Sequence, residues 1–147
     1  MMSTVMVEVL ASQHTHRTEM ETARATATRF ELSQSFYFEA AHTLQRTVDF
    51  EASCRIHGHT YDAEVTVSGI PDQTSGMVVD LAYLRTEIAR VRDLLDHRLL
   101  DEVQGIGPPT LENLCMFIRS HLEDAVPGLC GVTVERKASG DRCHCRW

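Results

Sequence analysis

Apolar and polar residues alternate over positions 30–43, where Phe36, Phe38 and Ala40 share one face, and again over 60–69, where Tyr61, Ala63, Val65 and Val67 do. A period of two is that of a half-buried β-strand. After the turn-forming Gly69-Ile70-Pro71-Asp72 the period changes. Leu81, Leu84, Ile88, Val91 and Leu95 recur three or four residues apart, which predicts an amphipathic helix with Asp80 as its N-cap and an end near Asp96-His97. A second helix is expected after Pro108-Pro109, with Thr110 as N-cap and Glu112 in the first turn, where a carboxylate suits the helix dipole. Its buried stripe is Leu111, Leu114, Cys115, Ile118 and Leu122, and Pro127-Gly128 breaks it. Positions 132–138 and 142–147 read as closing strands about the turn Ser139-Gly140-Asp141.

The order strand, strand, helix, helix, strand, strand predicts an α+β domain with a four-stranded antiparallel sheet and two helices on one face. Such a small open sheet leaves two edges, and joining edges across subunits protects them. The domain spans 29–147. Residues 1–28, weakly periodic apart from an alternation of Val5, Val7 and Val9, read as an extension that is either mobile or packed on a neighbour.

At 147 residues and 43% hydrophobic, the chain suits one domain with a real core. A net charge of −7 argues against a general nucleic-acid or anionic-membrane binder. It leaves room for a phosphorylated small molecule, which needs only a local basic cluster; Arg46, Arg55 and Lys137 lie nearest the motifs below. Five cysteines, an odd number in a chain too long to need staples, fit a reducing compartment. The opening 30 residues lack the basic start and apolar core of a signal peptide, and no apolar run approaches the roughly 20 residues of a membrane span. The expected location is the cytoplasm.

The densest chemistry is His57-Gly58-His59, with Cys54 three residues and His42 fifteen residues before it. On a strand, both imidazoles share a face while Gly58 leaves the other side open. His42 closes a triangle. Three neutral imidazoles suit zinc and leave one tetrahedral position vacant for water or substrate, as in a catalytic site. Residues 44–56 form the loop that delivers Cys54, and Asp96-His97 puts two more titratable groups at an element end. His14 and His16 read as solvated side chains, Cys115 as a core residue, and Cys143-His144-Cys145 as structural.

Taken in order, FxAAH at 38–42, HGHTY at 57–61, MVVDLAYLR at 77–85, LDH at 95–97, PTLENL at 109–114 and VTVERKASG at 132–140 resemble the 6-pyruvoyltetrahydropterin synthase and 6-carboxytetrahydropterin synthase family over roughly residues 30–147. The resemblance implies the tunnelling fold, a trimeric barrel of joined sheets doubled to a homohexamer with active sites at subunit boundaries. It implies His42, His57 and His59 as zinc ligands, Cys54 as general base, and Asp96 with His97 as the rest of a proton relay offered by a neighbouring subunit. Glu135 would anchor the pterin ring, with Thr110 and Glu112 lining that pocket.

The activity so implied is that of a zinc lyase on 7,8-dihydroneopterin triphosphate, releasing acetaldehyde and triphosphate and leaving 6-carboxytetrahydropterin, on the route to 7-deazaguanine and queuosine. The resemblance departs at Cys54. Family enzymes that form the carboxy product place three residues between the catalytic Cys and HGH, and those that form the pyruvoyl product five. Here only Arg55 and Ile56 intervene, so Cys54 stands where some relatives carry Glu. The short gap favours the carboxy product over a pyruvoyl synthase, which eliminates triphosphate without carbon loss. A reading of another class is a non-catalytic zinc or pterin-binding protein in which Cys54 closes a Cys-His₃ site.

Overall fold

A computed structural model of the chain describes residues 28–147. The expected extension, its valine alternation and His14 and His16 lie outside the described residues, His14 to Val5 alike. Strand β1 (Phe30–His42) runs antiparallel to β2 (His57–Gly69) without a break, from Phe30 opposite Gly69 to His42 opposite His57. Helix α1 (Phe50–Ser53) lies between them. Then follow α2 (Leu81–Leu95), β3 (Arg98–Leu99), α3 (Leu111–Leu122), β4 (Leu129–Arg136) and β5 (Asp141–Arg146).

The sheet has five strands in the order β3-β1-β2-β4-β5, and β3 lies parallel to β1. This corrects the expectation of four antiparallel strands and two helices. A strand of two residues and a helix of one turn are too short to impose a hydrophobic period, so neither is visible in the pattern. Geometry at the end of α2 creates β3. Asp96 Oδ1 accepts the Glu39 N–H at 2.9 Å, His97 adopts a left-handed φ of 58°, and its N–H donates to the Glu39 carbonyl at 2.6 Å. The chain is thereby turned along the edge of β1.

Both long helices start where side-chain chemistry requires. Asp80 accepts the Ala82 N–H at 2.7 Å, and Thr110 accepts that of Asn113 at 3.3 Å. Their apolar stripes cover the sheet face that carries Phe38, Tyr61, Val65, Val132 and Val134, all nearly inaccessible. Among the described residues no helix is long and apolar enough to cross a membrane.

Strand β4 starts three residues earlier than its alternation suggests because Gly128 turns sharply at φ 78°. A Cβ there would stand 2.6 Å from the Ser68 carbonyl oxygen, whose residue also donates its N–H to Gly128 O at 2.8 Å. Gly128→Ala is therefore expected to destabilise the fold by about 2 kcal/mol or more, since left-handed strain and a backbone clash add. Urea unfolding measures it; an unchanged midpoint would mean the turn relaxes freely.

Candidate metal centre

The end of β1 and the start of β2 put three imidazoles on the helix-covered face of the sheet. His42 and His57 are register partners, and His59 lies opposite Ala40. Ring centroids stand 4.5 Å apart for His42 and His57, 5.1 Å for His42 and His59, and 4.9 Å for His57 and His59. One ring nitrogen from each lies within 4.8 Å of the others. Strand parity accounts for this: with Tyr61, Ala63 and Val65 facing the core, His59 and His57 must follow on the same side.

Each ring is oriented from outside. His42 Nδ1 lies 3.2 Å from the Pro109 carbonyl and His57 Nδ1 2.8 Å from that of Arg55, so each donates there and keeps its Nε2 lone pair for the centre. His42 is 1% exposed, and its Nε2 is buried without a hydrogen-bond partner. A buried lone pair is costly unless something occupies it. His59 Nε2 accepts from Arg136 Nη1 at 3.3 Å. Burial first, then its two imidazole neighbours, pulls the His42 pKa down to about 4. His59 is lowered by burial and next by Arg136. Neutral imidazoles converging on a buried lone pair fit zinc, whose bonds of about 2.0–2.1 Å to nitrogen require the three ring nitrogens to draw closer together.

The same shift sets a pH dependence. Above pH 6.5 His42 is neutral whether folded or unfolded; as pH falls from 6.5 towards 4 the unfolded chain takes up a proton that the folded chain refuses. Stability is thus full above the unfolded value and lost on the way down, by up to about 3 kcal/mol from His42, with His59 acting in the same direction. Denaturant unfolding of metal-free protein at pH 7 and pH 4.5 is expected to show this loss, and His42→Gln to flatten it.

A cavity of about 660 Å³ opens beside the cluster, lined by His42, Tyr61, Thr110, Glu112, Arg136 and Asp141 among others. The structure therefore brings Thr110 and Glu112 to His42. It does not bring Glu135 there. Glu135 pairs with Asp62 across β2 and β4, on the sheet face away from the helices, where Arg142 Nε donates to it at 2.6 Å. Asp96 holds His97 Nδ1 at 3.1 Å and is itself held by Arg92, and the Glu39 N–H keeps its carboxyl below the usual range. His97 is exposed in a separate cleft with Gly58 and His59. Cys54 is exposed at the C-cap of α1.

Three site-facing residues escaped the sequence reading: Tyr61, Arg136 and Asp141. Parity could have found Arg136, which follows Val132 and Val134 on their own face. Cys143 and Cys145 turn towards α3, where the Cys115 thiol donates to the Cys143 carbonyl at 3.8 Å and Cys145 meets Met116 sulfur at 3.9 Å. They are packing residues, as their sequence context suggested.

Residues 31–146 match the sequence model of the family described as 6-pyruvoyl tetrahydropterin synthase. The chain belongs to that family. It is 37% identical over 108 residues to the 6-carboxy-5,6,7,8-tetrahydropterin synthase of Synechocystis, covering 69% of this chain and 81% of that protein. It is 34% identical to the dihydroneopterin monophosphate aldolase of Pyrococcus furiosus, covering 62% and 73%. The structure of Caenorhabditis elegans 6-pyruvoyl tetrahydropterin synthase superposes with a TM-score of 0.72 at 30% identity, over 82% of this chain and 97% of that one. Enzymes of the family are lyases acting on pterins.

Proposed function

We propose that this family member is a zinc-dependent 6-carboxy-5,6,7,8-tetrahydropterin synthase, converting 7,8-dihydroneopterin triphosphate to 6-carboxytetrahydropterin, acetaldehyde and triphosphate. The observation that carries the reading is the unpartnered, buried His42 Nε2 facing two further imidazoles at the mouth of a cavity. Similarity to the Synechocystis enzyme of that name supports the choice of product. Zinc held by His42, His57 and His59 would polarise the substrate's two side-chain hydroxyls and ease loss of the neighbouring protons.

In this reading Cys54 accepts a proton from the side chain of the substrate, and His97, oriented by Asp96, passes one on. Cys54 and His97 are both exposed and outside the cavity, which agrees with a relay completed across a subunit boundary in the homohexamer of two trimers that the family resemblance implies. Thr110 and Glu112 line the pterin end, the Glu112 carboxylate accepting ring N–H bonds. Glu135 serves as an anchor only from a second copy of the chain, since within one chain it lies across the sheet.

The test is a product assay on zinc-loaded protein with 7,8-dihydroneopterin triphosphate. Acetaldehyde with 6-carboxytetrahydropterin is expected; triphosphate with a pyruvoyl pterin would make the chain a pyruvoyl synthase. Cys54→Ala is expected to keep its zinc and lose turnover by about 10²-fold or more. Loss of zinc instead would make Cys54 a ligand and the site non-catalytic.

A further inference from the structure

Three buried polar side-chain atoms among the described residues have no hydrogen-bond partner: His42 Nε2, Tyr61 Oη and Arg136 Nε. All three residues line the cavity beside the imidazole cluster. The first offers a lone pair. Arg136 Nε can only donate; the Tyr61 hydroxyl, with neither donor nor acceptor beside it, is free to donate to a ligand oxygen. Arg136 is only 8% exposed, so its charge has been taken out of water, and it reaches the cluster itself through Nη1. Leaving such donors unsatisfied is costly unless a ligand takes their hydrogen bonds.

The surroundings say which ligand. Asp141 occupies Arg136 Nη2 at 2.7 Å and neutralises one charge, but it does not reach Nε. Arg46 also lines the cavity, with the carboxylates Glu112 and Asp141, whereas the Arg142 guanidinium is engaged by Glu135 on the other face of the sheet. The N–H edge of a pterin would set donors against the Arg136 guanidinium, which has no acceptor to offer. An anionic oxygen would satisfy both free groups, taking the Arg136 Nε–H and the Tyr61 hydroxyl beside the Arg46 cation.

We propose that Tyr61 and Arg136 form an oxyanion-binding subsite beside the imidazole cluster, which takes a phosphate or carboxylate group of the ligand rather than the ring edge of a pterin. The inference rests on the reading of this cavity as the substrate site, and it orients the substrate: the charged end lies against β4, and the ring lies towards Thr110 and Glu112. Arg136 thereby becomes a specificity-determining residue.

Isothermal calorimetry on the full chain tests this with three probes: inorganic phosphate, pterin-6-carboxylate and neopterin, which carries no anionic group. Arg136→Met is expected to weaken at least one of the two anions by about tenfold or more, and Tyr61→Phe by about threefold or more, with neopterin changed less than about threefold. Whichever anion responds identifies the source of the oxyanion. If neither anion binds, if neither variant weakens an anion, or if neopterin weakens as much, the subsite is refuted. Should Arg136→Met fail to fold, Tyr61→Phe decides, because it removes one hydroxyl and keeps the ring. Arg136-dependent phosphate binding without binding of either pterin would sink the pterin synthase reading and leave the subsite standing.

Discussion

His42→Ala is expected to yield a folded protein that no longer retains zinc, with affinity reduced by more than about 100-fold and turnover by at least about 10³-fold. Residues that merely orient a zinc ligand already cost about 10–100-fold in affinity when removed, and His42 would be a ligand itself. It is also the ligand with the fewest alternatives. Its ring is fixed between the Pro109 carbonyl and the rings of His57 and His59, and no water-exposed side chain could swing into a position that is 1% accessible. The two nitrogens left, from His57 and His59 on alternate positions of β2, fall short of the three protein ligands of a catalytic zinc site. Metal analysis after dialysis gives the result directly. His97→Ala is the control, because His97 stands in another cleft and its loss should spare zinc while impairing turnover. Zinc retained by His42→Ala would remove the metal centre from the imidazole cluster.

The features legible in the sequence are those governed by side-chain parity and helical period. Alternation through Tyr61, Ala63 and Val65 fixes the face of His57 and His59, and the Asp80 and Thr110 caps mark helix starts that the structure reproduces. Strand β3 was not legible, since it exists because His97 turns left-handed and clamps to Glu39, a backbone event with no apolar signature. The site divides in the same way. His42 joins His57 and His59 through strand register, which repeats along the whole of β1 and β2. Glu135 entered through motif resemblance, whereas parity points to Arg136, and within one chain it is Arg136 that lines the cavity. Cys54, Asp96 and His97 entered through resemblance as well, and no strand parity ties them to the cluster: Cys54 caps a one-turn helix, and Asp96 and His97 end α2.

Phe38→Ala is expected to do the opposite of His42→Ala: lower stability strongly while leaving zinc stoichiometry intact where the protein remains folded. Phe38 is completely buried at the centre of β1, and its ring stacks on that of Tyr61 at 5.0 Å between centroids and 12° between planes. Truncation removes the ring's apolar burial and leaves a hole in the core beneath α2, which together cost about 3–5 kcal/mol. For a domain of this size that is a fall in melting temperature on the order of 10–15 °C. The imidazoles should survive it, because β1 and β2 are held in register by backbone hydrogen bonds along 13-residue strands and His42 is anchored by Pro109 rather than by Phe38. Tyr61 should not be spared, having lost its stacking partner. Thermal unfolding and zinc content measured on the same sample separate the two roles. Zinc loss at temperatures where Phe38→Ala is fully folded would show instead that the row of rings, from Phe38 stacked on Tyr61 to the imidazoles that Tyr61 meets edge-on, positions the ligands itself.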